Sequence, residues 1–421
     1  MKISIIGTGY IGSVTGACFA DMGHTIIFVG RTRKNLDMID SGKSPIFEPG
    51  LEELLQKNRN RITTTTDIAA AVQKTEITFI CVGTPPQSDG SSDLSQIETV
   101  SHSIGKALGS IKRWHTIVAK STVLPGTIES LIIPILEKES GKKAFVDFGV
   151  ASNPEFLKEG TAVEDFFKTD RVVIGNQDEK TRMLLEKLYH QLNVPIFSTT
   201  LRTSEMIKFV SNAFLATKIS FANEIGNLCK EQGIDSFAVF EGVGLDTRIN
   251  PKFFRTGIGF GGSCFPKDVN ALIAHAKTLG IKSRVLSSVM VINDEQPKRM
   301  IALLKRHINP QEHTIGVLGL AFKPDTDDIR ESRAIPVIDM LLKEGARVKV
   351  YDPVAMDNFK KQYPDLSYAS SASEVLDADA ILVVTEWNEF ESLDYHGKLV
   401  IDGRRLEKAR KEAAVYEGVC W

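Results

Sequence analysis

Short apolar runs separated by polar or glycine-rich turns dominate the two ends of the chain. The first run, Lys2–Ile6, is followed by a turn with three glycines, an apolar stretch to about Met22, and a second run, Thr25–Val29. Strand, turn, helix and strand in this order predict a parallel βαβ unit with a right-handed crossover. The same order returns later in residues 314–320, 335–342 and Arg347–Tyr351.

Further apolar runs follow each βαβ unit and are bounded by loops, which is typical of strands buried on both faces of a doubly wound sheet. In the first half of the chain they are residues 78–82, Thr116–Ala119, 149–151 and 171–174. In the second half they are residues 380–384 and 398–401. The pattern predicts an α/β protein with two Rossmann-like doubly wound domains.

The segment between these halves has a helical pattern instead. Residues 203–231 contain no proline, and their apolar residues recur at near-helical spacing, which predicts one long helix of roughly 25–30 residues. Two shorter helices with a break are the alternative. We therefore predict a cofactor domain at residues 1–200, a central helical domain with the dimer surface at 201–300, and a C-terminal α/β domain at 301–421.

Composition excludes several classes of protein. The formal net charge is −2, whereas a general nucleic-acid binder needs an excess of basic residues. A local basic pocket for one diphosphate is compatible with this net charge. No run approaches the ~20 apolar residues that cross a bilayer. The five cysteines are dispersed and show no metal-ligand spacing, so we expect no metal site, no structural disulfide and a cytoplasmic location.

The turn after the first predicted strand reads Gly7-Thr8-Gly9-Tyr10-Ile11-Gly12. G-x-G-x-x-G between a strand and a helix predicts a dinucleotide site. The first glycine permits the tight turn, the second lets the backbone approach the pyrophosphate, and the third lets helix and strand pack closely. The helix N-terminus then offers free N–H groups to the phosphates.

The end of the second predicted strand bears on the choice of cofactor. An NAD site usually has an acidic residue there for the ribose hydroxyl, but this chain has Gly30-Arg31-Thr32. A guanidinium binds a 2′-phosphate that a carboxylate would repel, so Arg31 favours NADP, with NAD as the alternative. A simpler interpretation is that Arg31, Arg33 and Lys34 form a solvated face at a helix start.

Residues 257–268 carry the strongest chemical signal. Gly257, Gly259, Gly261 and Gly262 give the backbone freedom to approach a ligand, and Cys264 ends this loop just before Lys267. A nearby cation lowers the pKa of a thiol and favours the thiolate, so we interpret Cys264 as a nucleophile. Cys18, Cys81 and Cys229 lie in apolar runs that indicate inert core positions.

The loop Gly-Phe-Gly-Gly-Ser-Cys-Phe-Pro-Lys-Asp, residues 259–268, resembles the active-site loop of the UDP-glucose 6-dehydrogenase family. The resemblance continues in order along nearly the whole chain, through residues 47–51, 81–85, 120–123, 152–160, 205–215, 321–323, 330–332 and 402–405. The related UDP-N-acetylmannosamine dehydrogenases differ around the cysteine and in the Asn-Pro-Glu-Phe-Leu region, which favours UDP-glucose as the substrate. UDP-galactose, a C4 epimer, is not separated from it by the sequence.

The resemblance implies a four-electron oxidation of the sugar C6 alcohol to a carboxylate, with two molecules of NAD or NADP. It implies that Cys264 attacks the aldehyde of the first oxidation, and that the resulting thiohemiacetal is oxidised to a thioester that water hydrolyses. It assigns oxyanion stabilisation to Lys208 and Asn212, which share one helix face. It further assigns thioester hydrolysis to Glu155 with Thr122, and proton transfer to Asp268. Which of Glu155, Lys208 and Asp268 is the first general base stays open.

The resemblance also implies two sets of binding residues. The cofactor set comprises Gly7, Gly9, Tyr10, Ile11, Gly12, Arg31, Thr84, Pro85, Thr122, Lys267 and Arg330. The substrate set comprises Phe156, Leu157, Lys158, Glu159, Lys208, Asn212, Phe253, Arg255, Phe260, Gly261, Gly262, Lys323 and Arg404. Asp352 follows the second strand of the C-terminal unit, but residues 319–322 lack G-x-G-x-x-G, so we predict a UDP-binding copy of the fold there.

Two other functions fit parts of the pattern. A dehydrogenase of the same three-part build that acts on a small hydroxy acid, such as 6-phosphogluconate, would not need Cys264. A non-catalytic protein that senses nucleotide ratios would bind a cofactor without reducing it. The expected partners are UDP-glucose and a second copy of the chain, with no nucleic acid and no membrane, in a pathway such as polysaccharide biosynthesis.

Overall fold

The computed structural model describes all residues from Met1 to Trp421. The chain forms two compact units, residues 1–211 and residues 212–421. One long helix, α9 (Leu201–Glu231), begins in the first unit and ends in the second. None of the helices has the length and apolar character that crossing a membrane requires.

The first unit is built on an eight-stranded sheet. Its strands are β1 (Lys2–Ile6), β2 (Thr25–Val29), β3 (Ile62–Thr65), β4 (Ile77–Ile80), β5 (Thr116–Ala119), β6 (Gly149–Ser152), β7 (Val172–Gly175) and β8 (Ile196–Thr199). Their order is β3-β2-β1-β4-β5-β6-β7-β8, and all neighbours are parallel except β6 and β7. The first six strands therefore have the doubly wound order, with a reversal between β1 and β4.

Eight helices belong to this unit. They are α1 (Tyr10–Asp21), α2 (Arg33–Asp40), α3 (Leu51–Lys57), α4 (Ile68–Lys74), α5 (Ser95–Gly109), α6 (Ile133–Ser140), α7 (Ala162–Phe167) and α8 (Glu179–Tyr189). A π-helical turn, Ile128–Ile132, leads into α6. Phe19 of α1 packs against the rings of Phe79, Phe166 and Tyr189 at centroid distances of 5.2–5.6 Å, so α1 is anchored in the core beneath the glycine-rich turn.

The second unit continues from α9 through α10 (Ser236–Gly244), α11 (Phe265–Thr278) and α12 (Arg284–Leu304) into a second sheet. That sheet consists of β9 (Thr314–Leu318), β10 (Arg347–Tyr351), β11 (Ser367–Tyr368), β12 (Ala380–Val383), β13 (Leu399–Asp402) and β14 (Val415–Gly418). Its order, β11-β10-β9-β12-β13-β14, repeats the order of the first six strands, and all its neighbours are parallel. The remaining helices are α13 (Ala334–Lys343), α14 (Met356–Gln362), α15 (Ala372–Val375) and α16 (Glu407–Glu412).

The predicted fold class is confirmed, with two doubly wound sheets and a central helical segment that contains one unbroken helix of 31 residues. The four strands that the sequence pattern missed are β3, β8, β11 and β14, which are the outer strands of the two sheets. An outer strand is covered less completely, so it does not need a continuous apolar run. The threonines of β3 and the exposed Phe197 of β8 show this directly.

Asp352, at the carboxyl end of β10, holds the second sheet together at its reversal point. Its buried carboxylate accepts five hydrogen bonds of 2.7–3.0 Å, from the backbone N–H groups of Leu320, Ala321, Val354 and Ala355 and from the Trp387 indole N–H. With both oxygens engaged by the protein, Asp352 serves the fold at the position where a dinucleotide domain uses an acid for ribose.

Replacing Asp352 with Ala should lower the free energy of unfolding by at least about 3 kcal/mol, because each buried donor left without an acceptor costs roughly 1–3 kcal/mol. Asp352→Asn, which keeps the shape and one acceptor oxygen, should fall between that variant and the natural protein. Denaturant unfolding followed by circular dichroism measures the difference. Asp365→Ala removes an exposed carboxylate and serves as the control; equal stability of the two alanine variants would contradict this role for Asp352.

Candidate active site

The glycine-rich turn lies between β1 and α1, at the point where the strand order reverses. Gly7 has a φ of +108°, and a Cβ there would lie 2.5 Å from the Cys81 carbonyl oxygen. A Cβ on Gly12 would lie 1.9 Å from the Gly7 carbonyl oxygen, so helix and strand pack too closely for a side chain. Around Gly9, by contrast, no atom lies within 4 Å of the Cβ position. A side chain therefore has no space at Gly7 or Gly12, whereas the space beside Gly9 is free. Free space beside Gly9 fits a pyrophosphate that approaches the backbone.

Arg31, Arg33 and Lys34 are all exposed at the start of α2. This helix has Thr32 as its N-cap and no acidic residue in its first turn. Cations at the positive end of a helix dipole are unfavourable, and Asp37 neutralises only Arg33, at 3.9 Å. The cluster of Arg31, Arg33 and Lys34 therefore presents positive charge to an anion at the carboxyl end of β2.

Two further predicted cofactor residues are joined by a hydrogen bond. The Thr84 hydroxyl, after β4, donates to the Thr122 carbonyl oxygen, after β5, at 3.0 Å. Pro85 follows as an exposed residue. The bond fixes the two loops side by side at the carboxyl edge of the sheet, where open α/β folds bind their ligands.

Glu155 and Lys208 form a buried ion pair in the first unit. The Lys208 ammonium lies 2.9 Å from Glu155 Oε1, and the Leu157 N–H donates to Glu155 Oε2 at 2.7 Å. The Phe156 ring covers the pair, with Lys208 Nζ 5.5 Å from its centroid and the Arg171 guanidinium 4.1 Å from it. Two opposite charges held out of water are well suited to exchanging a proton.

A second buried lysine, Lys120, was not singled out by the sequence analysis. Its ammonium donates to the Asn153 side-chain oxygen at 3.0 Å, and the Tyr189 hydroxyl donates to the same oxygen at 2.5 Å. Burial lowers the pKa of Lys120 to about 8, while the neighbouring charge of Glu155 acts in the opposite direction. Asn153 precedes Pro154 and Glu155 in the chain, so this network fixes the start of the segment that carries Glu155.

Helix α9 carries Lys208 and, one turn later, Asn212. In the second unit the Asn212 amide donates to Asp268 Oδ2 at 2.6 Å, and Asp268 is almost completely buried. The Lys267 ammonium lies 2.5 Å from the other oxygen of Asp268. Asp268 therefore faces one amide donor and one cation, and Lys267, which we expected to favour the Cys264 thiolate, is engaged by this carboxylate.

Cys264 is the N-cap residue of α11 and is exposed, whereas the other four cysteines are buried. Burial raises the pKa of Cys81 and of Cys420 to about 12 and the pKa of Cys18 further. The N-terminus of a helix favours a thiolate, so the position of Cys264 supplies electrostatic support that the sequence alone attributed to Lys267.

The glycines before Cys264 approach the protein's own backbone. A Cβ on Gly257 would lie 2.1 Å from the Gly403 carbonyl oxygen, and a Cβ on Gly261 would lie 2.2 Å from that of Glu331. A Cβ on Gly262 would meet the Phe322 ring at 2.7 Å. Close packing within the second unit therefore requires these glycines, and the ligand contact of their backbone stays a prediction.

Amide side chains hold the same loop from two helices. Asn293 of α12 accepts from the Phe260 N–H at 2.7 Å and donates to the Phe260 carbonyl at 3.0 Å. Gln296 donates to the Gly257 carbonyl at 2.5 Å, and Asn223 of α9 accepts from the Gly257 N–H at 2.8 Å. Such contacts have no local sequence signature, because they join residues more than 30 positions apart.

The predicted diphosphate ligands share an acidic neighbour. Glu386 lies 3.6 Å from Arg255 Nη1 and 3.3 Å from Arg404 Nε, and Arg404 also donates to the Val384 carbonyl at 2.7 Å. Lys323 is half-buried beside the Phe322 ring, with its ammonium 5.9 Å from the ring centroid. Glu386 therefore orients two cations that the sequence analysis proposed for substrate.

The remaining predicted residues lie in three places. Lys158 pairs with Asp165 of α7 at 3.0 Å, and Leu157 and Glu159 flank it in the loop after β6. Phe253, at a φ of +70°, packs on the Phe265 ring at 6.2 Å, and Phe260 lies under the same ring at 5.9 Å. Arg330 forms a two-pronged pair with Asp328.

Comparison with known proteins places this arrangement among nucleotide-sugar dehydrogenases. The chain matches the NAD binding, central and UDP binding domains of the UDP-glucose/GDP-mannose dehydrogenase family over residues 1–193, 202–295 and 316–409. It is 44% identical to the UDP-glucose 6-dehydrogenase AglM of Haloferax volcanii and 40% identical to a GDP-mannose 6-dehydrogenase of Pseudomonas putida, each over the full length of both chains.

Its fold agrees with a solved structure of the same family. A UDP-glucose dehydrogenase from the hyperthermophilic archaeon Pyrobaculum islandicum is 44% identical, with 100% of this chain and 98% of that chain covered and a TM-score of 0.97. The three matched domains extend over most of the chain in sequence order. The protein therefore belongs to the UDP-glucose/GDP-mannose dehydrogenase family.

Proposed function

We propose that the protein is an NAD(P)-dependent UDP-glucose 6-dehydrogenase that converts UDP-glucose to UDP-glucuronate through a covalent intermediate on Cys264. The observation that carries the proposal is the exposed thiol at the N-terminus of α11, in a chain of this dehydrogenase family. A single oxidation of an alcohol needs no nucleophile, whereas oxidation to an acid requires an adduct at the aldehyde carbon.

A bound dinucleotide would supply the hydride acceptor in each of the two oxidations. In the first, the C6 hydroxyl loses its proton to a base of the Glu155, Lys208 and Asp268 set while a hydride leaves the C6 carbon. The Cys264 thiolate then adds to the aldehyde carbon, and Lys208 and Asn212 stabilise the oxyanion that forms. Loss of the second hydride from this adduct leaves a thioester between Cys264 and the C6 acyl group.

Hydrolysis of the thioester is the proposed task of Glu155. Its carboxylate takes a proton from a water molecule held with Thr122, the hydroxide adds to the acyl carbon, and the Cys264 thiolate leaves. The ion pair between Glu155 and Lys208 at 2.9 Å supports this role, because it holds the buried carboxylate in a fixed position. Asp268, engaged by Asn212 and Lys267, exchanges protons in the second unit.

The choice of sugar nucleotide rests on two likenesses. Relatives named UDP-glucose 6-dehydrogenase are 44%, 42% and 39% identical, and those named GDP-mannose 6-dehydrogenase are 40% identical. The solved UDP-glucose dehydrogenase is 44% identical, and the solved GDP-mannose dehydrogenase is 39% identical. We therefore favour UDP-glucose. Its proposed contacts in the first unit are Phe156–Glu159, and those in the second unit, for the diphosphate, are Arg255, Lys323 and Arg404.

The direct test follows cofactor reduction with UDP-glucose, UDP-galactose and GDP-mannose in separate assays. UDP-glucose should give the highest kcat/KM and about two reduced cofactors per sugar, as the thioester route requires. Cys264→Ala should abolish the acid product. One reduced cofactor per sugar, full activity of Cys264→Ala, or preference for GDP-mannose would contradict the proposal.

NADP is the proposed preferred cofactor, supported by the exposed cluster of Arg31, Arg33 and Lys34 that has no acidic residue in its helix turn. Arg31→Asp should lower kcat/KM for NADP about tenfold or more relative to NAD, since it removes charge-assisted bonds to a 2′-phosphate and adds repulsion. Arg59→Asp changes another exposed arginine of the same unit and should leave the ratio unchanged. A natural enzyme with a higher kcat/KM for NAD would refute the NADP preference, and a ratio that Arg31→Asp does not alter would exclude Arg31 as its cause.

A homodimer formed through α9 is the proposed assembly. Phe214, Phe221 and Leu228 follow each other at seven-residue spacing on this helix and are 49–63% exposed. An exposed apolar stripe of this kind is typical of an interface. The double variant Phe214→Asp, Phe221→Asp should halve the mass measured by light scattering, whereas Phe197→Asp, at an exposed phenylalanine of β8, should not. A monomeric natural protein would refute the dimer.

We further propose that the chain works in three domains, at residues 1–200, 201–300 and 301–421, and in the cytoplasm. The family domains at 1–193, 202–295 and 316–409 support the boundaries. An exposed thiol that must act as a nucleophile is best preserved in a reducing compartment, which supports the location.

A further inference from the structure

Residues 47–51, Phe-Glu-Pro-Gly-Leu, belong to the motifs of the sequence, yet the reaction proposed above gives them no task. They lie in the loop that leads into α3, and their Glu48 is buried. A buried carboxylate must be compensated by hydrogen bonds or a cation. The identity of its partners therefore indicates what the motif does.

Both oxygens of Glu48 accept backbone hydrogen bonds from a segment more than 110 residues away. The Gly160 N–H lies 2.7 Å from Glu48 Oε2, and the Ala162 N–H lies 2.6 Å from Glu48 Oε1. Gly160, at a φ of +83°, ends the loop that begins at Phe156, and Ala162 begins α7. Glu48 therefore holds the carboxyl end of the segment to which we assign the sugar nucleotide.

The same Gly160 N–H has a second acceptor. The Tyr10 hydroxyl oxygen lies 2.8 Å from it. Tyr10 is the first residue of α1 and directly follows Gly9, the glycine left open for a pyrophosphate. One backbone N–H thus joins the first turn of the dinucleotide helix to the substrate segment, with Glu48 as the shared support.

We propose that Tyr10 and Glu48 are positioning residues that couple the dinucleotide site to the sugar-nucleotide site through Gly160. A pyrophosphate at the start of α1 restrains Tyr10, and the Tyr10 hydroxyl then restrains Gly160 and the segment Phe156–Glu159. Coupling between two binding sites is reciprocal, so the sugar nucleotide must tighten the dinucleotide by the same factor. This inference rests on the function proposed above for both sites.

Calorimetric titration measures the coupling without turnover when the reduced cofactor is used. The quantity is the Kd of UDP-glucose without the reduced cofactor divided by its Kd with it. For the natural enzyme we expect a factor of about five or more, the lower end of typical couplings between sites. Tyr10→Phe, which removes only the hydroxyl, should reduce the factor below about two. Because the factor is a ratio within one protein, a change in the affinity for either ligand alone does not affect it.

Glu48→Gln is the second variant, since it keeps the shape but presents an amide N–H to one of the two backbone donors. Its factor should also fall. Tyr363→Phe removes a hydroxyl that bonds Asp339 in the second unit, and Glu52→Gln changes an exposed glutamate of α3; both should keep the natural factor. Circular dichroism verifies that each variant is folded.

A natural factor of about one, or an unchanged factor in Tyr10→Phe, would overturn the coupling while leaving the dehydrogenase function intact. A natural enzyme that binds neither UDP-glucose nor the reduced cofactor would overturn the function and the coupling together. The two failures are therefore distinguishable in one series of titrations.

Discussion

The ion pair between Glu155 and Lys208 is the charged interaction on which the position of the proposed hydrolytic carboxylate depends. Removing two charges from water costs several kcal/mol per ion, and the cost is recovered only where the geometry is close and the remaining polar atoms are bonded. The chain meets this requirement with a 2.9 Å contact, the Leu157 N–H, and a ring that covers the pair. A second buried lysine, Lys120, fixes Asn153 just before Glu155. Such an arrangement holds a buried carboxylate in place, which fits the hydrolytic role that we propose for Glu155.

The second unit supports Cys264, the proposed nucleophile, in a different way. Cys264 is exposed at a helix N-terminus, while the loop before it is fixed by backbone packing at Gly257 and Gly261 and by the amides of Asn223, Asn293 and Gln296. Rigid support around this exposed thiol fits the nucleophilic role that we propose for it, because covalent catalysis needs orientation. Helix α9 contributes Lys208 to one unit and Asn212 to the other, and so carries two proposed oxyanion donors on one element.

Sequence patterns predicted the parts of this structure that depend on local periodicity or local conformation. The inner strands, the long helix and the glycine-rich turn belong to this group. Continuous burial, helical spacing and positive φ each restrict which residue types occur at neighbouring positions. The outer strands β3, β8, β11 and β14 have no continuous apolar run that would predict them, because one side of each lies at a sheet edge.

Contacts between residues that are distant in the chain could likewise not be predicted from sequence patterns. Nothing near Glu48 indicates that it caps Gly160, and nothing near Glu386 indicates that it lies between Arg255 and Arg404. The glycines before Cys264 were predicted from the freedom they give the backbone, and the structure adds that packing of Gly257 against Gly403 and of Gly261 against Glu331 requires them. The resemblance to a family located Glu155, Lys208, Asn212 and Asp268, and the structure adds which of them bond each other within each unit.

The covalent role of Cys264 is the central claim, and trapping the intermediate tests it most directly. Glu155→Gln, mixed with UDP-glucose and oxidised cofactor and quenched in acid, should accumulate the thioester, because the residue that activates water is disabled. Mass spectrometry of the digested protein should then find the uronyl group on the Cys264 peptide and on no other cysteine. An unmodified Cys264 peptide in a sample that has already formed two reduced cofactors per active site would contradict the account.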